Sequence, residues 1–96
     1  MTKANIVSEI SKSTGVDRAT VLKSVEAFMD TVMGSMINGQ NVYLRGFGSF
    51  VVKKRAAKAA RDILNDTTII IPERYVPTFK PSQQFAERLR NNLQGK

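Results

Sequence analysis

The sequence feature that most constrains the fold is residues 45–61, RGFGSFVVKKRAAKAAR, which holds six basic side chains and no acidic one. The RAAKAAR portion is helical by propensity. Strand-type residues at 50–54 nevertheless lead into it, and TTIII at 67–71 follows a turn signal at Asn65-Asp66. We therefore predict that residues 55–73 form a β-hairpin. Its first leg carries little apolar bulk, so the hairpin is expected to project into solvent.

The remaining sequence changes period at Gly39. Before it, apolar residues recur at helical spacing, with Thr2 and Asp17 as candidate N-caps. After it, the alternation becomes that of strands, with Gly46 and Gly48 at a tight reversal. Pro72 and Pro77 are expected to interrupt the third strand, and either to restrict it to a sheet edge or to mark a bend. The predicted helices span 2–13, 18–38 and 82–93, and the predicted strands span 41–45, 49–54 and 67–79.

These elements predict an α+β fold in one domain, residues 1–96. The expected parts are a helical base (1–39), a three-stranded antiparallel sheet with its β-ribbon arm (40–81, the arm at about 55–73) and a C-terminal helix (82–94). With the arm in solvent, the long second helix and the sheet face expose more apolar surface than this body covers. Because the chain has no cysteine for a disulfide, we predict a dimer.

Charge and composition narrow the function. The net charge of +7 favours nucleic acid or an anionic membrane surface as partner. The chain has no histidine or cysteine, and its eight carboxylates are scattered. We therefore expect no enzyme, no catalytic residue, no metal site and no cofactor.

The sequence also indicates where the protein is found. The longest aliphatic run has three residues, Ile69 to Ile71, against roughly 20 for a membrane span. The first residues, MTKANIVSEI, are too polar for a signal peptide. Cytoplasmic localisation is the expectation, with no membrane partner and no small-molecule substrate.

Three sequence motifs resemble the HU and integration host factor family of bacterial histone-like proteins. They are GFGSF at 46–50, V-x-K-x-R-A-A-K at 51–58 followed by Arg61, and VPTFKPS at 76–82. The resemblance covers nearly the whole chain. It implies an intertwined dimer whose two β-ribbon arms wrap duplex DNA through the minor groove and bend it. It also implies little sequence specificity and a role in nucleoid organisation.

The resemblance carries DNA-contacting roles onto particular residues. It implies cations on the arm, cations on the body that contact the flanks of the DNA site, and a wedge residue at the arm tip. Arg45 resembles the integration-host-factor side of the family. The family's tip reads G-R-N-P, whereas this chain has Ala60-Arg61-Asp62-Ile63, so Ile63 stands at the wedge position and Asp62 adds a negative charge. Gln83 and Ala86 stand where many HU proteins have lysine. The implied DNA-binding residues are Lys3, Arg45, Lys53, Arg55, Lys58, Arg61, Ile63 and Lys80, while Phe47, Phe50 and Phe79 match residues that pack the core and the dimer interface.

Strand geometry gives the arm cations two faces. Alternate residues of a strand share a face, so Lys53, Arg55 and Arg61 are expected on one side and Lys54 and Lys58 on the other. Such a ribbon meets phosphates along both walls of a groove.

Other functions remain open from the residues alone. KSTGVDRATVLKSVEAF resembles a helix-turn-helix, although its second helix is mostly apolar and offers little to a major groove. Tyr43 and Phe47 are candidate stacking platforms for RNA or a ribosome. A magnesium-dependent nuclease is the enzyme alternative. The dimer is expected to pair identical chains, or this chain with a related one.

Overall fold

The chain begins with two antiparallel helices, in a computed structural model that describes residues 1–62 and 64–94. The first helix, α1 (Lys3–Thr14), starts at a capping box between Thr2 and Asn5 and ends at Gly15, whose φ of 77° is left-handed. The second helix, α2 (Arg18–Ile37), has 20 residues and is therefore about 30 Å long. The Asp17 carboxylate caps it by accepting a hydrogen bond from the Thr20 amide at 3.0 Å.

Very few side chains are buried within the chain itself. Among the described residues, the buried hydrophobic side chains are Val7, with no exposed surface, and Val21, with 4%. They lie where α1 and α2 pack together, and an ion pair of 2.9 Å from Lys3 Nζ to Glu26 Oε2 also joins the two helices. A core of this size leaves most apolar side chains partly exposed.

Five antiparallel strands and a third helix follow. They form a three-stranded sheet in the order β1-β2-β5 and a separate two-stranded ribbon of β3 and β4. The predicted α+β fold with an arm is thus confirmed. The strands are β1 (Val42–Leu44), β2 (Gly48–Arg55), β3 (Lys58–Asp62), β4 (Thr67–Ile71) and β5 (Arg74–Pro81), and the helix is α3 (Gln83–Leu93).

The reversal between β1 and β2 depends on two glycines. Gly46 has a φ of 83°, which glycine adopts without a Cβ clash. Gly48 is required for a different reason: a Cβ there would lie 2.5 Å from the Lys80 carbonyl oxygen and 2.5 Å from the Phe79 ring. The GFG run therefore fixes both the turn and the close approach of β2 to β5.

The arm continues the sheet in unbroken register. The last pair of β2 and β5 is Arg55 with Arg74, and the first pair of β3 and β4 is Lys58 with Ile71. Both legs are interrupted for two residues, 56–57 and 72–73, so neither strand gains a bulge. Pro72 supplies one cause, because proline has no amide hydrogen for the ladder.

Two sequence-based expectations for this region are settled by the strand pairing. The helical propensity of residues 55–61 is overridden, since they lie in β2, β3 and the break between them. The expected interruption at Pro77 was wrong: Pro77 lies inside β5 and is paired with Val52. This strand is at the edge of the sheet, where one side of the backbone needs no partner and proline is tolerated.

The arm gives the molecule an extended shape. The radius of gyration is 18.9 Å and the principal extents are 57 × 39 × 28 Å. A compact domain of this length has a radius of gyration of about 12–13 Å. The difference is what a ribbon that projects from the body produces.

The third helix packs against the rest of the chain through one aromatic cluster. Ser82 caps it, with Ser82 Oγ accepting from the Phe85 amide at 3.1 Å and donating to the Gly46 carbonyl oxygen at 2.9 Å. Phe85 lies 5.7 Å from Phe47 and 6.4 Å from Phe79, centroid to centroid. The described part of α3 contains no buried residue, so one side of this helix lacks an intrachain partner.

Candidate nucleic-acid interface

The β2–β5 pairing sorts the side chains of the sheet onto two faces. Residues directly opposite each other in an antiparallel pair point to the same side. One face, which we call the helix-facing face, carries Phe50 paired with Phe79, whose rings are 5.0 Å apart, together with Val52, Pro77, Lys54 and Tyr75. The other, the open face, carries Ser49, Lys80, Val51, Thr78, Lys53, Val76, Arg55 and Arg74.

The open face holds a row of cations that runs towards the arm. Lys80 lies opposite Ser49 near one end of β2. Lys53 belongs to the second pair beyond it on the same face, and Arg55 and Arg74 form the last pair. All four side chains are exposed. Arg74 was missed by the sequence analysis, because only the strand register shows that it lies opposite Arg55.

The single cation of the helix-facing face is engaged differently. Lys54 Nζ lies 3.2 Å from Glu73 Oε1 and 6.0 Å from the centre of the Tyr75 ring. Both contacts hold the ammonium group beside the ribbon. Among the described residues, the open face therefore carries more positive charge without a carboxylate partner than the helix-facing face does.

Beyond the break, the same register divides the two cations of β3. Arg61 is paired with Thr68 and falls in phase with the open face, while Lys58 is paired with Ile71 and falls in phase with the helix-facing face. This is the alternation expected for a continuous strand.

At the tip, acidic side chains hold the turn. Asp62 accepts hydrogen bonds from the Leu64 amide at 3.1 Å and from Asn65 Nδ2 at 2.8 Å. Asp66, with a φ of 50°, forms an ion pair with Arg61. Arg61 thus has a carboxylate partner within the arm, and Ile63, the expected wedge, lies outside the described residues.

The remaining expected contacts lie apart from the cation row. Lys3 is paired with Glu26 on the helices, and Arg45 is an exposed residue of the β1–β2 turn.

At the base of the arm, by contrast, five cations surround one cleft of about 310 Å³. Its lining residues are Lys53, Lys54, Arg55, Ala56, Lys58 and Arg74.

A second surface of the chain is apolar. On α2, Phe28 is 47% exposed, Met33 54% and Ile37 83%. On α3, Leu89 and Leu93 are also exposed, and a cleft of about 1020 Å³ lies between this helix and the turn at Gly46 and Phe47. We call the exposed apolar side chains of α2 and α3 the apolar surface.

Residues 1–62 and 64–94 contain no group of three or more metal-ligating side chains. Within them, no helix is long and apolar enough to cross a membrane.

An α+β body with an exposed basic ribbon defines the chain as a nucleic-acid-binding protein. The sequence profile described as "Bacterial DNA-binding protein" matches residues 1–90. The chain therefore belongs to this family, that of HU and integration host factor, whose members are architectural DNA-binding proteins rather than enzymes. Its own function is accordingly architectural DNA binding.

Similar proteins come from both branches of the family. DNA-binding protein HU of Thermotoga maritima is 32% identical over 90 residues, which are 94% of this chain and all of that protein. Integration host factor subunit alpha of Erythrobacter litoralis is 34% identical, over 93% of this chain and 89% of that protein. An Anabaena HU–DNA cocrystal structure superposes with a TM-score of 0.87 at 27% identity, covering 93% of this chain and 97% of that one.

Proposed function

We propose that two copies of this chain associate, bind duplex DNA through the minor groove and bend it with their arms, with little sequence specificity. The observation that carries this proposal is the cation row of the open face, which leads from Lys80 along β2 to the arm base. Each phosphate neutralised by such a row releases counterions, with a slope of about −0.9 in log K against log salt.

Association of two chains follows from the apolar surface. A body with two buried hydrophobic side chains among its described residues lacks the core that a domain of this size needs, and the chain has no cysteine to compensate. The second copy is the occupant that we propose for the apolar surface. Since the relatives include integration host factor subunits named alpha and beta, a related chain is the alternative partner.

The dimensions of the arm favour the minor groove. Two alanines separate each arm cation from the next, Ala56-Ala57 before Lys58 and Ala59-Ala60 after it, so the ribbon carries little bulk between its charges. B-DNA's minor groove is only about 6 Å wide, and proteins that enter it commonly widen and bend the duplex. The Anabaena HU relative was solved with DNA, which supports the same partner class for this chain.

DNA-bending proteins of this kind insert an apolar side chain between base pairs. We propose Ile63 for this role, on the sequence alone. Ile63→Ala should reduce the bend while leaving affinity nearly unchanged, with Leu64→Ala as the matched control. An unchanged bend in Ile63→Ala would remove Ile63 from the mechanism.

The remaining parts of the proposal concern the site and its cellular role. DNA contacts are assigned to Lys3, Arg45, Lys53, Arg55, Lys58, Arg61 and Lys80, with no catalytic residue and no cofactor. The minor groove offers a degenerate pattern of donors and acceptors, so preference among sequences would come from DNA deformability. We propose that the protein serves nucleoid organisation in the cytoplasm.

Competition experiments separate this proposal from its alternatives. Netropsin, which occupies the minor groove, should displace the protein from duplex DNA, whereas methyl green, a major-groove ligand, should not. Single-stranded RNA should compete poorly. The opposite pattern for the two groove ligands would favour the helix-turn-helix reading, and magnesium-dependent cleavage of the duplex would reveal an enzyme.

A further inference from the structure

The cleft at the arm base gathers more positive charge than any other described part of the ribbon. Five of its six lining residues are cations. Among the described residues, the ion pair of 3.2 Å between Lys54 and Glu73 is the one that involves a member of this set. Four cations of the cleft therefore lack a carboxylate within ion-pair distance in the part of the chain that the structure describes.

Two of these cations are held against each other by the backbone. Arg55 and Arg74 are directly opposite in the last pair of β2 and β5, an arrangement in which Cβ atoms lie about 4.5–5.5 Å apart and like charges weaken the sheet. A guanidinium group does not lose its proton in proteins. An anion that both side chains share would relieve this repulsion.

The distribution of charge along the arm points to the same place. Beyond the cleft, the arm has one basic residue, Arg61, and two acidic residues, Asp62 and Asp66, and Arg61 is already paired with Asp66. The excess positive charge thus lies at the base of the arm, not along its distal part. Ala56, at the break in β2, leaves space between the long side chains of the cleft.

We propose that this cleft is a discrete phosphate site, in which Arg55 and Arg74 share one phosphate group and Lys53 and Lys58 add charge beside it. The planar guanidinium fork matches the geometry of phosphate oxygens better than an ammonium group does. A bound phosphate converts the like-charge pair into a bridged one and fixes the arm where its hydrogen-bond ladder is interrupted. Arg74 becomes a contact residue in addition to those assigned above.

The source of the phosphate rests on the proposed function: on DNA it is one backbone phosphate at the base of each arm. A free pyrophosphate ion presents the same chemistry and serves as a probe in the absence of DNA. The two sources are distinguished by measuring each separately.

The first experiment measures the melting temperature of the full chain with and without sodium pyrophosphate, at ionic strength matched with sodium chloride. A ligand that binds the folded state raises the melting temperature. We expect a rise in the unmodified chain and in Lys23→Gln, a control that removes one exposed cation of α2, but none in Arg74→Gln. An equal rise in Arg74→Gln would overturn the proposal.

A second variant keeps the test independent of a folding defect. Arg74→Glu places a carboxylate opposite Arg55, so it should melt above the unmodified chain in chloride alone and should not respond to pyrophosphate. A melting temperature lowered in chloride, or a retained response to pyrophosphate, would show that the Arg55–Arg74 pair is not the anion site.

The experiment with DNA measures the salt dependence of duplex binding. Loss of one phosphate contact per cleft should reduce the magnitude of the slope of log K against log salt by about 0.9, or about 1.8 for two clefts in a dimer, in Arg74→Gln. An unchanged slope in a variant that still bends DNA would overturn the proposed phosphate site and leave the proposed function intact. If pyrophosphate stabilises a chain that does not bind duplex DNA, the phosphate site is supported and the proposed function is overturned.

Discussion

The body and the arm are both incomplete as single-chain structures, but they lack different things. The body exposes apolar side chains, such as Phe28 and Met33 of α2, and the buried hydrophobic side chains among its described residues are two valines. The described residues of the arm include no buried side chain. They carry exposed aliphatic groups together with polar and charged ones, with Ile70 73% exposed and an ion pair between Arg61 and Asp66. The body therefore requires apolar contact from another protein chain, whereas the arm, with its cationic base and narrow profile, suits a polyanion.

The body and the arm also differ in where the positive charge lies. Most of the cations of the sheet and the arm lie on β2, on β5 and at the arm base, and the distal arm carries no excess positive charge. Electrostatic attraction is thus centred on the body and the arm base, while the distal arm contributes reach. On this view the arm is needed for bending more than for charge.

The largest effect is expected from a charge placed in the apolar surface. Met33→Glu should prevent association, because a carboxylate buried without a partner costs on the order of 3–5 kcal/mol. Thr31→Glu is the matched control, since residue 31 lies on roughly the opposite side of α2 at 100° per residue. Sedimentation should find a dimer for the control and a monomer or unfolded chain for Met33→Glu; a dimeric Met33→Glu would place the interface elsewhere.

Replacement of the arm is the next largest test. Joining Arg55 to Arg74 through Asn-Gly, a preferred two-residue hairpin loop, removes residues 56–73. The replacement deletes two basic and three acidic side chains, so the remaining chain is more positive. We expect a dimer that binds DNA more weakly and does not bend it, as measured by gel mobility of circularly permuted fragments.

That result would contradict a purely electrostatic account of binding. If net charge alone governed the interaction, the armless chain would bind DNA at least as tightly as the full chain. Retained bending by the armless dimer would refute the role that we assign to the arm.

A smaller effect is expected where the body meets the ribbon. Gly48→Ala would bring a Cβ to 2.5 Å from the Lys80 carbonyl oxygen and the Phe79 ring, and overpacking of this kind costs about 1–3 kcal/mol. Gly34→Ala, where nothing lies within 4 Å of the added Cβ, should be stabilising by about 0.5–1 kcal/mol because alanine favours helix. Thermal melts at equal protein concentration should give shifts of opposite sign, and equal shifts would argue against the close β2–β5 approach.

The smallest effect concerns the start of α2. Hydrogen bonds from the Thr20 side chain and backbone lower the pKa of Asp17 below its ordinary value of 3.8. A depressed carboxyl pKa adds stability above the unfolded pKa, and that stability is lost as pH falls from about 4 through the folded pKa. Asp17→Asn, which keeps an N-cap, should match the unmodified chain near pH 7 and lose less stability between about pH 4 and pH 2. Identical acid melts of the two chains would show that this cap is not formed in solution.

The sequence predicted the elements better than their pairing. Helical spacing on either side of Gly15 and alternation after Gly39 gave the helices and the body strands, because these periods reflect burial against neighbouring elements. The strand state of residues 58–62 followed from the TTIII segment that pairs with them, against their own helical propensity. Of the two outcomes expected for Pro77, an edge strand or a bend, the sheet order shows the edge strand; the sequence could not choose between them because the position of a strand in a sheet is a tertiary property.

The candidate site was predictable only in part, because register is a tertiary property. The arm cations were evident as a charge run, and their alternation followed from strand geometry. The opposition of Arg55 and Arg74 depends on a pairing across 18 intervening residues, and no local pattern specifies it. The Arg61–Asp66 pair likewise depends on the geometry of the tip, where Asp66 adopts a positive φ.

The most direct test of the account measures the shape of DNA in the complex. A duplex of about 35 base pairs is far shorter than the persistence length, so it is nearly straight when free. With a donor and an acceptor dye at its ends, energy transfer should rise as the full chain is added, more so at low salt than at high salt, and should not rise with the armless chain. Binding of the full chain without any increase in energy transfer would contradict the claim that the arms bend DNA.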